Sequence, residues 1–232
     1  VPAGHSPTSI DEGYALQAAV HATLERRGDK RLGYKVGSTS ASGQATLGLR
    51  EPIRAGIFAS TRAPSLDQAL SSPLAAPSVE CEVALVLGAD LVAVDVASVR
   101  QAIASCHVAC EVIDNRYGEP LEVGVPTMLA DDFFHAAFVL GPPSPNWGSL
   151  DLAHVDAEVR MDGRTLTGNA ADGLDALSAV LWLARHLAST GGRLRAGEII
   201  LTGAIIPPIP LPARPRDLAL SIQGLEPLIL EN

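Results

Sequence analysis

The stretch Pro77–Gly88, "PSVECEVALVLG", decides how the rest of the chain is read. Its β-branched and apolar residues mark it as a strand, and strand side chains alternate faces at about 3.3 Å per residue. Glu80 and Glu82 therefore share one face with Ala84 and Val86, while Val79, Cys81, Val83, Leu85 and Leu87 take the other. One reading is an amphipathic strand with its acids in water, where most carboxylates sit. The other is a metal site. Two carboxylates held close repel by roughly 1–4 kcal/mol. A bound divalent cation turns that cost into binding energy, because hard cations such as Mg²⁺ take oxygen donors. Two ligands are too few for such a site, so a third acid is needed.

Glu111 meets that need. It lies in "ACEVIDNRY" (109–117), with Ala109 and Cys110 before it and Val112 and Ile113 after, a context too apolar for a freely solvated acid. Alone it reads as structural. With Glu80 and Glu82 it makes three acids in strand-like contexts, enough for a Mg²⁺-type site completed by water or substrate.

The composition sets the frame. A chain of 232 residues, 47% hydrophobic and 19% charged, suits one domain with a substantial core. Aromatics are scarce at 4%, so Ala, Val and Leu fill that core. The net charge of −9 argues against nucleic acid as a partner. Three cysteines, Cys81, Cys106 and Cys110, sit in apolar contexts without zinc-type spacing, which points to a reducing cytoplasm. No signal peptide and no membrane-spanning apolar run is visible.

Working outward, Ser9 and Glu12 form a capping box opening a helix to about Arg27, with Tyr14, Ala18 and His21 at helical spacing. Residues 1–30 are thus expected as a helical segment ahead of a main domain, 31–232. Short strands are expected near Gly33–Val36 and at "IRAGIFAS", a helical turn at "SGQATLGL", and loops at 62–77 and from Val125. "DVASVRQAIASCHVAC" (95–110) carries helical spacing, which would put His107 on a helix, packing it. A strand follows at Ala136–Leu140. Asp162-Gly163 marks a hairpin turn between two alternating runs. Leu174, Leu177, Val180, Leu181, Ala184 and Leu187 make the stripe of the clearest helix. "AGEIILTGAII" is a buried strand, Pro207–Pro215 a proline-rich loop, and Asp217–Ile222 a final strand. Strands outnumber helices without regular βαβ alternation, so the expected class is α+β with a rolled or barrel-like mixed sheet and flanking helices.

The ordered set of "YKVGSTS" (34–40), "LGLREP" (47–52), "VECEVALVLGADL" (79–91), "CEVIDNR" (110–116), "LADD" (129–132) and the run from Ala179 to Ala204 resembles the fumarylacetoacetate hydrolase superfamily. Within it the likeness is to the 2-keto-4-pentenoate hydratase branch, which also holds the 4-oxalocrotonate decarboxylases. The resemblance implies a mixed β-barrel or roll, and Mg²⁺ or Mn²⁺ on Glu80, Glu82 and Glu111. It implies a catalytic or substrate-binding role for Lys35, which alone reads as a surface strand lysine. It implies a small 2-oxo or 2-hydroxy-dienoic acid as substrate, handled as an enolate. Hydration is the first expectation. Decarboxylation, C–C hydrolysis and a non-catalytic binding relative are the alternatives. A homo-oligomer is expected on the same ground.

Candidate substrate contacts are Ser38, Asp131, Phe134 and Thr202, with Arg50 and Arg54 as further anion contacts. His135 either lines the pocket or is structural. The chain departs from the family pattern at Phe133-Phe134, where small residues are usual. It departs again at Leu174-Asp175-Ala176 and at Ile205-Ile206-Pro207-Pro208, where the substrate shell is expected. These changes either make the pocket more apolar or plug it.

Overall fold

The computed structural model describes residues 6–118, 122–211 and 214–230. Its centre is the expected strand, β3 (Pro77–Leu87), whose apolar set Val79, Cys81, Val83, Leu85 and Leu87 is at most 2% exposed. β3 pairs antiparallel with β4 (Ile103–Asp114) on one side and β8 (Ile199–Pro210) on the other. β1 (Arg31–Gly37) joins β8 in parallel, β2 (Ile53–Phe58) joins β1, and β5 (His135–Leu140) joins β4. The result is a mixed six-stranded sheet in the order β2-β1-β8-β3-β4-β5.

A second, antiparallel sheet runs β10-β9-β6-β7, from β6 (Asp156–Met161), β7 (Arg164–Asn169), β9 (Leu218–Ile222) and β10 (Leu228–Ile229). Val79, Val83, Val108, Cys110 and Val112 of the first sheet share one core with Val159, Leu218 and Leu220 of the second. The same core takes Val180, Leu183 and Leu187 of the helix Ala176–Ser189. One face of the large sheet is therefore buried on apolar partners, which leaves the opposite face to carry the acids. The architecture is α+β, as the sequence predicts.

The hairpin forms at Asp162-Gly163, both in the left-handed conformation (φ 48° and 76°) that a tight two-residue turn requires. The first helix, α1 (Ile10–Arg26), starts on the Ser9 cap. Its inward face is Gly13, Gln17 and His21, whereas Ala18 is exposed. It is stitched to the body by Gln17, whose side chain donates to the Leu129 carbonyl at 2.7 Å, and by His21 at Asp132.

Three expectations are corrected. The run 95–110 is not one helix: helix α4 covers Val96–Ala102, after α2 (Ala41–Leu47) and α3 (Leu66–Ala69), and β4 begins at Ile103. His107 is therefore a strand residue, its Nδ1 donating to the Gly141 carbonyl at 2.8 Å. Second, β8 continues through the expected proline loop to Pro210, and residues 212–213 of that loop lie outside the described residues. Third, the expected loops at 62–77 and from Val125 each hold a short helix, α3 in the first and α5 (Val125–Ala130) in the second. The Ala176–Ser189 helix is α6.

Candidate metal centre

The β3–β4 register places Glu80 opposite Glu111, and Glu82 opposite Ala109. Cross-strand partners share a face, so all three glutamates project on the side away from the apolar core. Each offers one oxygen, and these oxygens lie within 4.8 Å of one another. Glu82 and Glu111 are each 1% exposed, and Glu80 is half-buried at the cavity edge.

The electrostatics of the three acids differ. Burial, then the repulsion of Glu111, pushes Glu80 up to about 7, against a partial pull from Lys35. Burial and both neighbouring glutamates push Glu82 well above the usual carboxylate range, although the Gly203 N–H donates to it at 2.8 Å. Glu111 goes the other way. Burial would raise it, but Lys35 and His135 outweigh burial and bring it down to about 2. Lys35 Nζ donates to Glu111 Oε1 at 2.6 Å, and His135 Nδ1 donates to the same oxygen at 2.8 Å. Burial pulls the Lys35 ammonium down, and the attraction of Glu111, Glu80 and Glu82 more than compensates, so it stays above its ordinary value.

A divalent cation fits this donor set. Two of the three carboxylates resist ionising without one, all donors are oxygens, and Glu111 is already ionised and oriented from behind. Mg²⁺ and Mn²⁺ suit such a set better than softer metals.

Glu80 borders a cavity of about 680 Å³, within the usual range for a small-molecule site. Glu80, Lys35, Ser38, Thr202 and Phe134 line it. The Ser38 hydroxyl is buried without a hydrogen-bond partner, on a residue held at φ 54°. An unpaired buried hydroxyl costs about 1–3 kcal/mol unless a ligand satisfies it. Thr202 also lines the cavity, but its hydroxyl donates to the Val83 carbonyl at 2.8 Å, so it has only lone pairs left to offer.

The expected contact at Asp131 is corrected: it lies off the cavity wall, paired with Arg116 at 2.6 Å. Arg54 is also elsewhere, donating to Gln17 Oε1 at 2.7 Å and stacked over Tyr14. Arg50 lies off the wall too. Phe133 and Phe134 line the cavity without plugging it.

The sequence reading missed the support beneath Lys35. Asp132, Phe133 and Phe134 are all left-handed (φ 49°, 55° and 65°), at a cost of roughly 1–2 kcal/mol each. The Asp132 carboxylate holds that turn by accepting from His21 Nε2 at 2.8 Å and from the Gly56 N–H at 2.9 Å. The turn aims the Phe133 carbonyl at Lys35 Nζ, 3.3 Å away. Only the doubled acid in "LADD" hinted at this, and it equally fits a solvated turn.

The family model described as Fumarylacetoacetate (FAA) hydrolase C-terminal matches residues 48–228. A 2-keto-4-pentenoate hydratase of Burkholderia vietnamiensis is 33% identical over 204 residues, covering 86% of this chain and 78% of the relative. The TodF product hydratase of Pseudomonas putida is 30% identical, covering 88% and 77%. Among solved structures, 4-oxalocrotonate decarboxylase from Pseudomonas putida G7, complexed with magnesium and adipate, superposes with a TM-score of 0.86 at 26% identity. That match covers 97% of this chain and 86% of the neighbour. Fumarylpyruvate hydrolase from Pseudomonas aeruginosa, with Mn²⁺ and pyruvate, shares the fold at 18% identity and a TM-score of 0.67, covering 87% and 88%.

Proposed function

The chain belongs to the fumarylacetoacetate hydrolase family, and from that membership we propose that it is a metal-dependent hydro-lyase of the 2-keto-4-pentenoate hydratase kind. The observation that carries this is the cluster of Glu80, Glu82 and Glu111 at the edge of a cavity that also holds Lys35. The three carboxylates would hold Mg²⁺ or Mn²⁺. When bound, the metal supplies a Lewis acid for the 1-carboxylate and 2-oxygen of a 2-oxo acid.

The chain's own groups do the rest. The Lys35 ammonium, paired with Glu111 at 2.6 Å, would act as a proton donor and a positive charge beside the reacting oxygens. His135 and Lys35 fix the orientation of Glu111. The free hydroxyl of Ser38 is a donor for the substrate carboxylate. In the reaction, 2-hydroxypenta-2,4-dienoate takes a proton at C5 as its 2-hydroxyl loses one, giving an unsaturated 2-oxo acid. Water then adds across C3=C4, hydroxyl to C4 and proton to C3, giving 4-hydroxy-2-oxopentanoate.

The test is turnover of that dienoate with product analysis. The expected result is metal-dependent formation of 4-hydroxy-2-oxopentanoate without release of CO₂, lost in Glu80→Gln and Glu82→Gln. Undiminished turnover in excess chelator overturns the proposal. Faster CO₂ release from 4-oxalocrotonate would move the chain to the decarboxylases.

A further inference from the structure

The wall of the cavity limits the substrate beyond its reacting end. Along β3 and β4 the face that bears Glu80 and Glu111 continues two residues on to Ser78 and Ile113, which are paired across the strands. That is about 7 Å further from the acids. Phe133 and Phe134, on the left-handed turn, line the same cavity. On the other side β8 bulges. Val79 pairs with Ile209 and Cys81 with Ile206, so Pro207 and Pro208 together face Glu80. Ile113, Phe133, Phe134, Pro207 and Pro208 all line the cavity.

Charge is distributed just as unevenly. Among the described residues, Lys35 is the only lysine or arginine on the wall, and it is committed to Glu111. No lysine or arginine occurs among the residues outside the description. A second carboxylate at the distal end would therefore meet no cation on this wall. Volume points the same way. The eight non-hydrogen atoms of a five-carbon dienoate need about 240 Å³ even at the ~30 Å³ share of a liquid water molecule. The cavity has about 680 Å³.

We infer that the substrate is a 2-oxo-acid enol of more than five carbons in all, carrying a single carboxylate and an uncharged, apolar distal end seated against Ile113, Phe133 and the Pro207-Pro208 bulge. This rests on the proposed metal-dependent chemistry. A dicarboxylate of the same length is disfavoured.

The test is calorimetric binding to the Mn²⁺-loaded protein. The ligands are oxalate, 2-oxobutanoate, 2-oxohexanoate, 2-oxooctanoate and 2-oxoadipate, the last matching 2-oxohexanoate in carbon number. Oxalate has no tail and reports the reacting end alone. The expected result is an affinity gain of about fourfold per added methylene, with 2-oxohexanoate at least tenfold tighter than 2-oxoadipate. Ile113→Asn should lower the ratio of 2-oxohexanoate to oxalate affinity. Because the readout is a ratio, loss of folded protein does not imitate it. If oxalate binds but the series is flat, or the diacid binds as well as the monoacid, the inference fails and the proposed chemistry stands. If oxalate does not bind, the proposed chemistry fails and takes the inference with it.

Discussion

At the scale of single residues, the site turns on Glu111. It is the one acid of the three held ionised by its own neighbours, Lys35 and His135. His135 is a positioning residue whose other ring nitrogen meets the Thr61 hydroxyl at 2.9 Å. Outer partners of metal ligands typically matter about 10–100-fold in metal affinity. His135→Ala should therefore weaken Mn²⁺ binding by that factor, read by calorimetry, and an unchanged affinity would leave His135 a packing residue only. Lys35→Met should do the opposite. Removing a positive charge beside the carboxylates leaves metal binding intact or tighter, while kcat falls at least about 100-fold. A variant with normal kcat would remove Lys35 from the chemistry. The three glutamates were legible because acids in apolar, alternating runs are anomalous. His21 and Asp132 were not, because nothing local marks a turn of three non-glycine residues at positive φ, which only tertiary contacts hold in place.

At the scale of elements, the strands that carry the site are buried on both faces, and that decides what the sequence can announce. In β4, Cys106, Val108, Cys110 and Val112 face the core, yet Ala109 and Glu111 on the other face are also at most 1% exposed. Burial on both faces erases the period of two, and the remaining apolar spacing imitates a helix from Asp95 to Cys110. β3, with two acids breaking one face, kept its alternation and was readable. The extension of β8 through Pro207 and Pro208 was hidden because proline argues against a strand, except at a bulge, which is where these two sit. Gly203 on β8 joins the sheet to the site: its φ is 104°, a Cβ there would lie 2.5 Å from Thr39 Cγ2, and its N–H serves Glu82. Gly203→Ala should cost about 1–3 kcal/mol from overpacking alone, seen as a lower urea midpoint, together with weaker Mn²⁺ binding. A variant of native stability and affinity would show that this close approach is not needed.

At the scale of the whole molecule, three clustered acids make stability depend on pH and metal together. Glu80 rises from the usual 4.5 to about 7 in the fold, and Glu82 also rises. Between those values the folded state binds more protons than the unfolded, so the metal-free protein loses stability as pH climbs from about 4.5 through about 7. Glu111, lowered to about 2, contributes in the opposite sense: its stabilisation is present above 4.5 and is lost as pH falls towards 2. The metal-free protein should therefore melt at a lower temperature at pH 7.5 than at pH 5.5. Saturating Mg²⁺ should raise stability most at pH 7.5, by about 2.7 kcal/mol where it is in hundredfold excess over Kd. Thermal melts across pH with and without Mg²⁺ check this, and a metal increment independent of pH would contradict it. No helix among the described residues is long and apolar enough to cross a membrane.

The central claim is that Glu80, Glu82 and Glu111 form one divalent-cation site, and its most direct measurement is calorimetric titration of metal-stripped protein with Mn²⁺. The expected result is a single site per chain, weakened in Glu80→Gln and in Glu82→Gln by more than the roughly 10–100-fold that an outer partner costs. Folded wild-type protein that binds no Mn²⁺, or binds it equally well after either substitution, would contradict the account.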